Sequence, residues 1–338
     1  MTEIYKCYAV FQNKDGKGCV MPFDYENREF KTAQKVDLVG EVKGAIASPD
    51  GGIIYVLVTN TVSGSKYPAV QAVDTASGKI KKTVTLNAVG TYGLDMCLTE
   101  KGKSLHVSQD QDLFRIDTST WANKKVVPAK GKWNTLSGLS ANSDGTIIYT
   151  HERGEGGECV RKFDVGSENA EPLTVYKFEE PEALRMSVFQ TVRGEQLFLL
   201  YDKVGEDGTA DSRRLALVAI DLDTLQVIHQ ETLGSNIMYA QALGISSDGK
   251  EVYATGGRLG KNYLWVYDVE KKKAPTQVDL GKEPTCSIAV GPAGVNKAYL
   301  GSAKSYSVLD TTKHSVEGPY DQPYADSSFC FYRVQKTG

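Results

Sequence analysis

What the 338-residue chain lacks narrows its function first. No run of Lys or Arg exceeds the three at 271–273, which share their turn with Asp268 and Glu270, and the net charge is −3. A nucleic-acid partner or an anionic membrane surface therefore finds no electrostatic footprint. No apolar window reaches the roughly 18 residues needed to span a bilayer, and the first residues lack a basic region followed by an apolar stretch. The expectation is a soluble protein with no membrane partner, cytoplasmic, or periplasmic if an export signal has been removed.

No CxxC pair occurs among the cysteines at 7, 19, 97, 159, 286 and 330, most of which sit in apolar runs. They are expected as buried free thiols, with Cys7–Cys19 or Cys286–Cys330 pairing left open for an exported chain. His106, His151, His229 and His314 show no HExxH or other ligand spacing, so no metal is expected. His151, close to Glu152 and Glu158, is the one histidine kept as a candidate acid or base. GxSxG, P-loop and dinucleotide fingerprints are absent, and Gly154, Gly156 and Gly157 lack the strand-to-helix setting that phosphate binding needs. No cofactor is expected. Glu206, Asp207 and Asp211 lack the dense spacing of a Ca²⁺ loop. With no extended 3.6-residue apolar period, helices should be few.

Two short signatures alternate instead. One is an apolar run, a tight Gly turn and a second apolar run, as in AIASPDGGIIYVLV from Ala45 or ALGISSDGKEVYA from Ala242; it occurs six times. Each reads as two antiparallel strands, because Gly supplies the positive φ such turns require. The other is an apolar stretch ending in Asp and a polar turn, at Asp24, Asp74, Asp117, Asp164, Asp221, Asp268 and Asp310. An Asp at a strand end accepts hydrogen bonds from the amides of the following turn. Successive Asp residues lie 50, 43, 47, 57, 47 and 42 apart, the period of a four-stranded propeller blade.

Seven Asp turns against six Gly turns leave the first unit one strand short, since it begins directly at Ile4. The tail SSFCFYRV, 327–334, is an apolar strand with no partner after it. Placed beside 4–10 it completes a seventh blade and removes the open sheet edges. The fold class is therefore all-β, a seven-bladed β-propeller of four-stranded blades, with one domain over 1–338 and a closing blade built from about 4–38 plus 327–334.

The IYVLVTNT stretch at 54–61, after SPDGG and before VDTASGKI, resembles the YVTN-type propeller repeat, and the whole chain is similar to the amine-dehydrogenase β-subunit-like superfamily. The motif is faithful in that blade and degrades elsewhere. The resemblance implies architecture. It also implies a range of roles, among them noncatalytic subunits, adhesive domains and a few enzymes.

With strands counted outward from the axis, the first-to-second and third-to-fourth turns share one face, and they are short. The other face carries the insertions, for example 59–68, 151–158, 202–214 and 129–138. Binding residues favour long loops on a rigid scaffold. Residues just before each inner strand ring the channel mouth on that face: Lys43, Tyr92, Asp95, Trp133, Asn134, Glu182, Arg185, Tyr239, Gln241, Glu283, Tyr324 and Asp326. Aromatic rings among both charge signs suit a small polar ligand, and a cationic amine better than an anion because carboxylates outnumber bases. The plainer alternative is that these side chains plug the channel and hydrogen-bond one another or water. Two functions remain in view: a binding or scaffold propeller for a small ligand or protein partner, and an enzyme or noncatalytic subunit of an amine-oxidising complex. The second would draw acid or base groups from Glu182, Glu283, Asp95, Asp326 or Tyr239.

Overall fold

The computed structural model describes the chain apart from residues 1–3, 13–15, 87–89, 91–93, 127–134, 143, 155–156, 166–171, 179–187, 204–212, 236, 238, 259, 272 and 335–338. At 4–5, 62, 100, 137, 203, 235 and 330–334 it describes the backbone alone. Seven antiparallel sheets hold the strands. Among the described residues the helical turns are two short 3-10 segments, Thr32–Gln34 and Glu100–Gly102, and no helix is long and apolar enough to cross a membrane.

The strands differ by position because each blade is packed between two others. Middle strands are buried on both faces and read as continuous apolar runs, as in Arg214–Asp221, where all six residues between the ends are buried. Outer strands face solvent on one side, so Lys79–Thr85 buries only Val84. The inner strands are Glu41–Ala47, Asp95–Thr99, Thr135–Ala141, Val188–Arg193, Tyr239–Ile245, Thr285–Val290 and Ala325–Val334, here blades one to seven. They touch in that cyclic order, the last against the first, so the chain forms a closed seven-bladed β-propeller.

Closure follows the strand count. Ala325–Val334 lies antiparallel to Ile4–Gln12, with Tyr8 opposite Cys330 and Val10 opposite Ser328. Phe329 of this strand sits among rings of blades six and seven, 5.2 Å from both Phe23 and Tyr299 and 5.6 Å from Tyr306. Gly301 of blade six admits the strand: a Cβ there would stand 2.0 Å from the Ser327 carbonyl oxygen. The fourth strand of this blade is split into Glu29–Phe30 and Val36–Asp37, both paired with Gly18–Asp24. Pro22 explains the gap. Its carbonyl accepts from the Lys31 amide at 3.0 Å, so its nitrogen faces the same side and has no hydrogen to offer the ladder.

All seven repeat aspartates end the third strand of a blade. Their carboxylates accept turn amides, for example Ser77 on Asp74 at 2.7 Å, Thr224 on Asp221 at 2.7 Å and Lys271 on Asp268 at 2.8 Å. Hydrogen bonds from the turn hold Asp24, Asp74, Asp117, Asp221, Asp268 and Asp310 below the usual carboxylate range. Residues 166–171, after Asp164, lie outside the described set. Two expectations change: 151–158 is paired strand through to Gly154 opposite Gly157, and 59–68 is a hairpin rather than a loop, because Ile53–Val62 and Ser65–Asp74 pair through to Val62 opposite Ser65. Ser63 and Gly64 turn it with φ of 49° and 83°, the left-handed pair of a two-residue hairpin.

Cys7, Cys19, Cys97 and Cys159 are buried, the last three as free thiols, whereas Cys286 is free and exposed. Removing the ring of Phe329 (Phe329→Ala) should cost about 3–5 kcal/mol, as for other large-to-small core changes. Urea denaturation followed by tryptophan fluorescence checks this, and a loss near zero would show that closure does not rest on that ring.

Candidate functional site at the channel mouth

Inner strands of neighbouring blades face one another around the axis with no backbone ladder between them. Five carry a register shift near the start: Glu41–Ala47, Thr135–Ala141, Tyr239–Ile245 and Thr285–Val290 against their second strands, and Ala325–Val334 against Ile4–Gln12. A bulge withdraws one residue from pairing and re-aims its side chain. The residues skipped include Lys43, Gln241, Cys286 and Asp326. Sequence spacing pointed to three of these four. Inner strands pair along one edge only, so amides on the other edge have no ladder partner, and polar side chains from the adjacent blade accept them. The Val42 amide donates to Gln12 Oε1 at 2.7 Å, the Leu139 amide to Asp95 Oδ2 at 2.7 Å, and the Thr285 amide to Gln241 Oε1 at 3.1 Å.

Two expected mouth residues thus serve as seams. Gln241 is buried and also donates to Asn262 Oδ1 at 2.7 Å. Asp95 accepts the Met96 amide at 2.8 Å besides that of Leu139. Burial of this carboxyl outweighs the two amides and raises it to about 6. Lys43 is paired with Glu41, which also meets Lys66 at 3.3 Å. Tyr324 is half-buried, with its ring 6.0 Å from Phe11 and the Lys35 ammonium 5.4 Å from its centroid. Tyr239, also half-buried, begins the inner strand of blade five.

Glu283 and Asp326 differ from these. Neither carboxylate has an ion-pair partner among the described residues, and both act on Cys286. Burial first, then the charges of Asp326 and Glu283, push that thiol up. Asp326 is exposed, with φ of 48° and its amide bonded to the Ala303 carbonyl at 3.2 Å. Glu283 lines a cleft of about 190 Å³ between blades five and six with Lys282, Thr285, Ser302, Ser305 and Ser307. Tyr92, Trp133, Asn134, Glu182 and Arg185 lie outside the described residues. Cys286 was not among the expected mouth residues because nothing local marks a bulge.

His151 is sealed. Its Nε2 lies 2.6 Å from Glu158 Oε1, both side chains are 1% exposed, and its ring meets Phe178 edge-on at 5.6 Å. Arg153 Nε also donates to Glu158 at 3.1 Å. A pair closed off from water binds the second strand of blade three to the third, and it gives a reactant no access. Among the described residues no group of three His, Cys, Asp or Glu could hold a metal ion.

A solved structure, the hydrazine synthase of Kuenenia stuttgartiensis, is similar to this chain. The likeness shows the fold. It covers 80% of this chain and 76% of that one, with a TM-score of 0.60 and 18% sequence identity. No family model matches the chain, and no curated protein is similar to it in sequence.

The raised Asp95 carboxyl sets a pH signature. Its folded value near 6 exceeds the ordinary 3.8, so its contribution to stability is complete below about pH 4 and is lost as pH rises through 6. Relative to Asp95→Asn, the native chain should lose stability across that window. Urea midpoints at pH 4, 5, 6 and 7 check it, and parallel curves for the two proteins would exclude a titrating seam.

Proposed function

We propose that this chain is a binding propeller whose channel mouth takes a cationic amine, carried by a small amphipathic ligand or presented by a protein partner. The observation that carries this reading is the pair Glu283 and Asp326, two carboxylates flanking the exposed Cys286 with no cation of their own among the described residues. Neighbouring charges are spoken for: Glu41 holds Lys43 and Lys66, and Asp95 is bound to amides. An arriving ammonium would find acceptors there without breaking an existing pair. Tyr239 and Tyr324 on the same rim offer ring faces for cation–π contact. Seams at Gln12, Asp95 and Gln241 favour a pre-formed site, because they fix neighbouring inner strands before any ligand arrives. The expectation of a superfamily that includes noncatalytic subunits of amine-oxidising complexes agrees with this reading.

One observation favours a second reading, an enzyme. A carboxyl at about 6 on an inner strand at the mouth lies in the range suited to proton transfer near neutral pH. Both readings put the same ligand class at the same rim.

Calorimetric titration with 2-phenylethylamine, with phenylacetate as the anionic control, tests the site. Saturable binding of the amine alone is expected, with Glu283→Gln and Asp326→Asn each weakening it roughly five- to tenfold. Equal heats for amine and anion, or unchanged affinity in both variants, would remove the mouth from consideration.

A further inference from the structure

On the face opposite the mouth, blades five and six part to leave a cleft of about 510 Å³. Its floor is a three-residue network. Glu251, on the second strand of blade five, accepts the Tyr253 hydroxyl on Oε2 at 2.6 Å, and its Oε1 lies 2.7 Å from Nε2 of His314, which stands on a turn of blade six. The carboxylate is thereby fixed from both sides, with 22% of the Glu251 side chain and 28% of His314 still exposed. Burial and the hydrogen bond to Glu251 push the Tyr253 phenol up, so it stays a neutral donor.

Charge around the cleft is uneven. Lys250 is held by Glu270 at 3.1 Å and Lys271 by Asp268 at 2.5 Å, so both lysines are neutralised locally. Asp248 accepts the Ser246 hydroxyl at 2.7 Å and the Lys250 amide at 3.1 Å, bonds that keep its carboxyl below the usual range and ionised. Glu251 and Asp248 remain as carboxylates that hold no lysine, beside the His314 imidazole. The wall supplied by blade six sets an aliphatic strip, Val290, Pro292 and Val295, beside the polar Asn296, Thr311 and Thr312. A cleft with fixed carboxylates at one side and an aliphatic strip at the other matches a ligand that is itself divided, an ammonium on an alkyl stem.

We propose that this cleft is a second binding site, which takes the ammonium end of an extended alkyl chain with its stem along Val290, Pro292 and Val295 and its charge at Glu251 and Asp248. Two sources share this chemistry, a lysine side chain and a free aliphatic diamine. The site differs from the mouth in face, residues and ligand shape, since the rings here are Tyr253, which is buried, and the His314 imidazole, which is tied to Glu251.

Titrating the full chain with Nα-acetyl-lysine amide and with 1,5-diaminopentane, by calorimetry and by the imidazole proton signals of His314, tests it. Saturable one-to-one binding is expected for at least one probe, with a shift of the His314 signals and loss of binding when the lysine Nζ is acetylated. Tighter binding of the lysine derivative would assign a peptide side chain, and of the diamine a free amine. Glu251→Gln should weaken binding about tenfold. Because Glu251 also ties blade five to His314, Asp248→Asn serves as an independent variant that leaves the tie intact, with a severalfold loss expected. Glu283→Gln and Asp326→Asn at the mouth should leave this binding unchanged, so the two sites stand or fall separately. No saturable heat with either probe, equal affinity for the acetylated lysine, or undiminished binding in both cleft variants would overturn the proposal.

Discussion

Seven strands stand around one axis, and no backbone ladder joins one to the next across the gap between blades. The rest of the molecule is arranged around that constraint. An inner strand pairs along one edge only, so amides on its other edge lack a ladder partner, and an unpaired buried N–H is costly. Gln12, Asp95 and Gln241 each reach across a seam to accept such an amide, and Ser287 donates across the last seam to the Ser327 carbonyl at 2.8 Å. These bonds are short-range and directional, so they set register between blades. The aromatic cluster around Phe329 is non-directional and supplies burial.

The same constraint divides the mouth into two classes of residue. Asp95 and Gln241 are consumed in holding the ring together, and a polar residue so used is rigid and saturated. Glu283, Cys286 and Asp326 stand on the same rim without that duty. A binding surface built this way has its acceptors placed by strands whose positions other side chains have already fixed, which lowers the ordering cost of taking up a ligand.

Much of the ring could be read from residues close together in the chain. An Asp that caps a turn acts on amides two or three positions later, so Asp74 with Ser77 and Asp221 with Thr224 were visible as local chemistry, and the unequal number of Asp and Gly turns located the closing strand. Pro22 carried the signal for a split outer strand, and Ser63–Gly64 the signal for a hairpin, yet each depends on knowing which way a backbone nitrogen or a loop points. The seams were out of reach. Asp95 and Leu139 lie 44 residues apart, and nothing at either position announces that the two will meet across a seam. A list of mouth residues drawn from strand starts therefore mixed structural and available side chains, and it omitted Cys286, whose exposure arises from the bulge in its strand.

The closing blade also sets an order of events during synthesis. Its three early strands leave the ribosome ahead of the strand that completes the blade, carrying Cys7, Ala9, Phe11 and Met21 toward a face that Phe329 and Tyr299 will cover only after some three hundred further residues have been added. Until then that apolar face and the edge of Ile4–Gln12 are exposed to any other chain that offers a strand. Shielding of these early strands, by a chaperone or by the growing blades, is thus a requirement written into where the ring is joined.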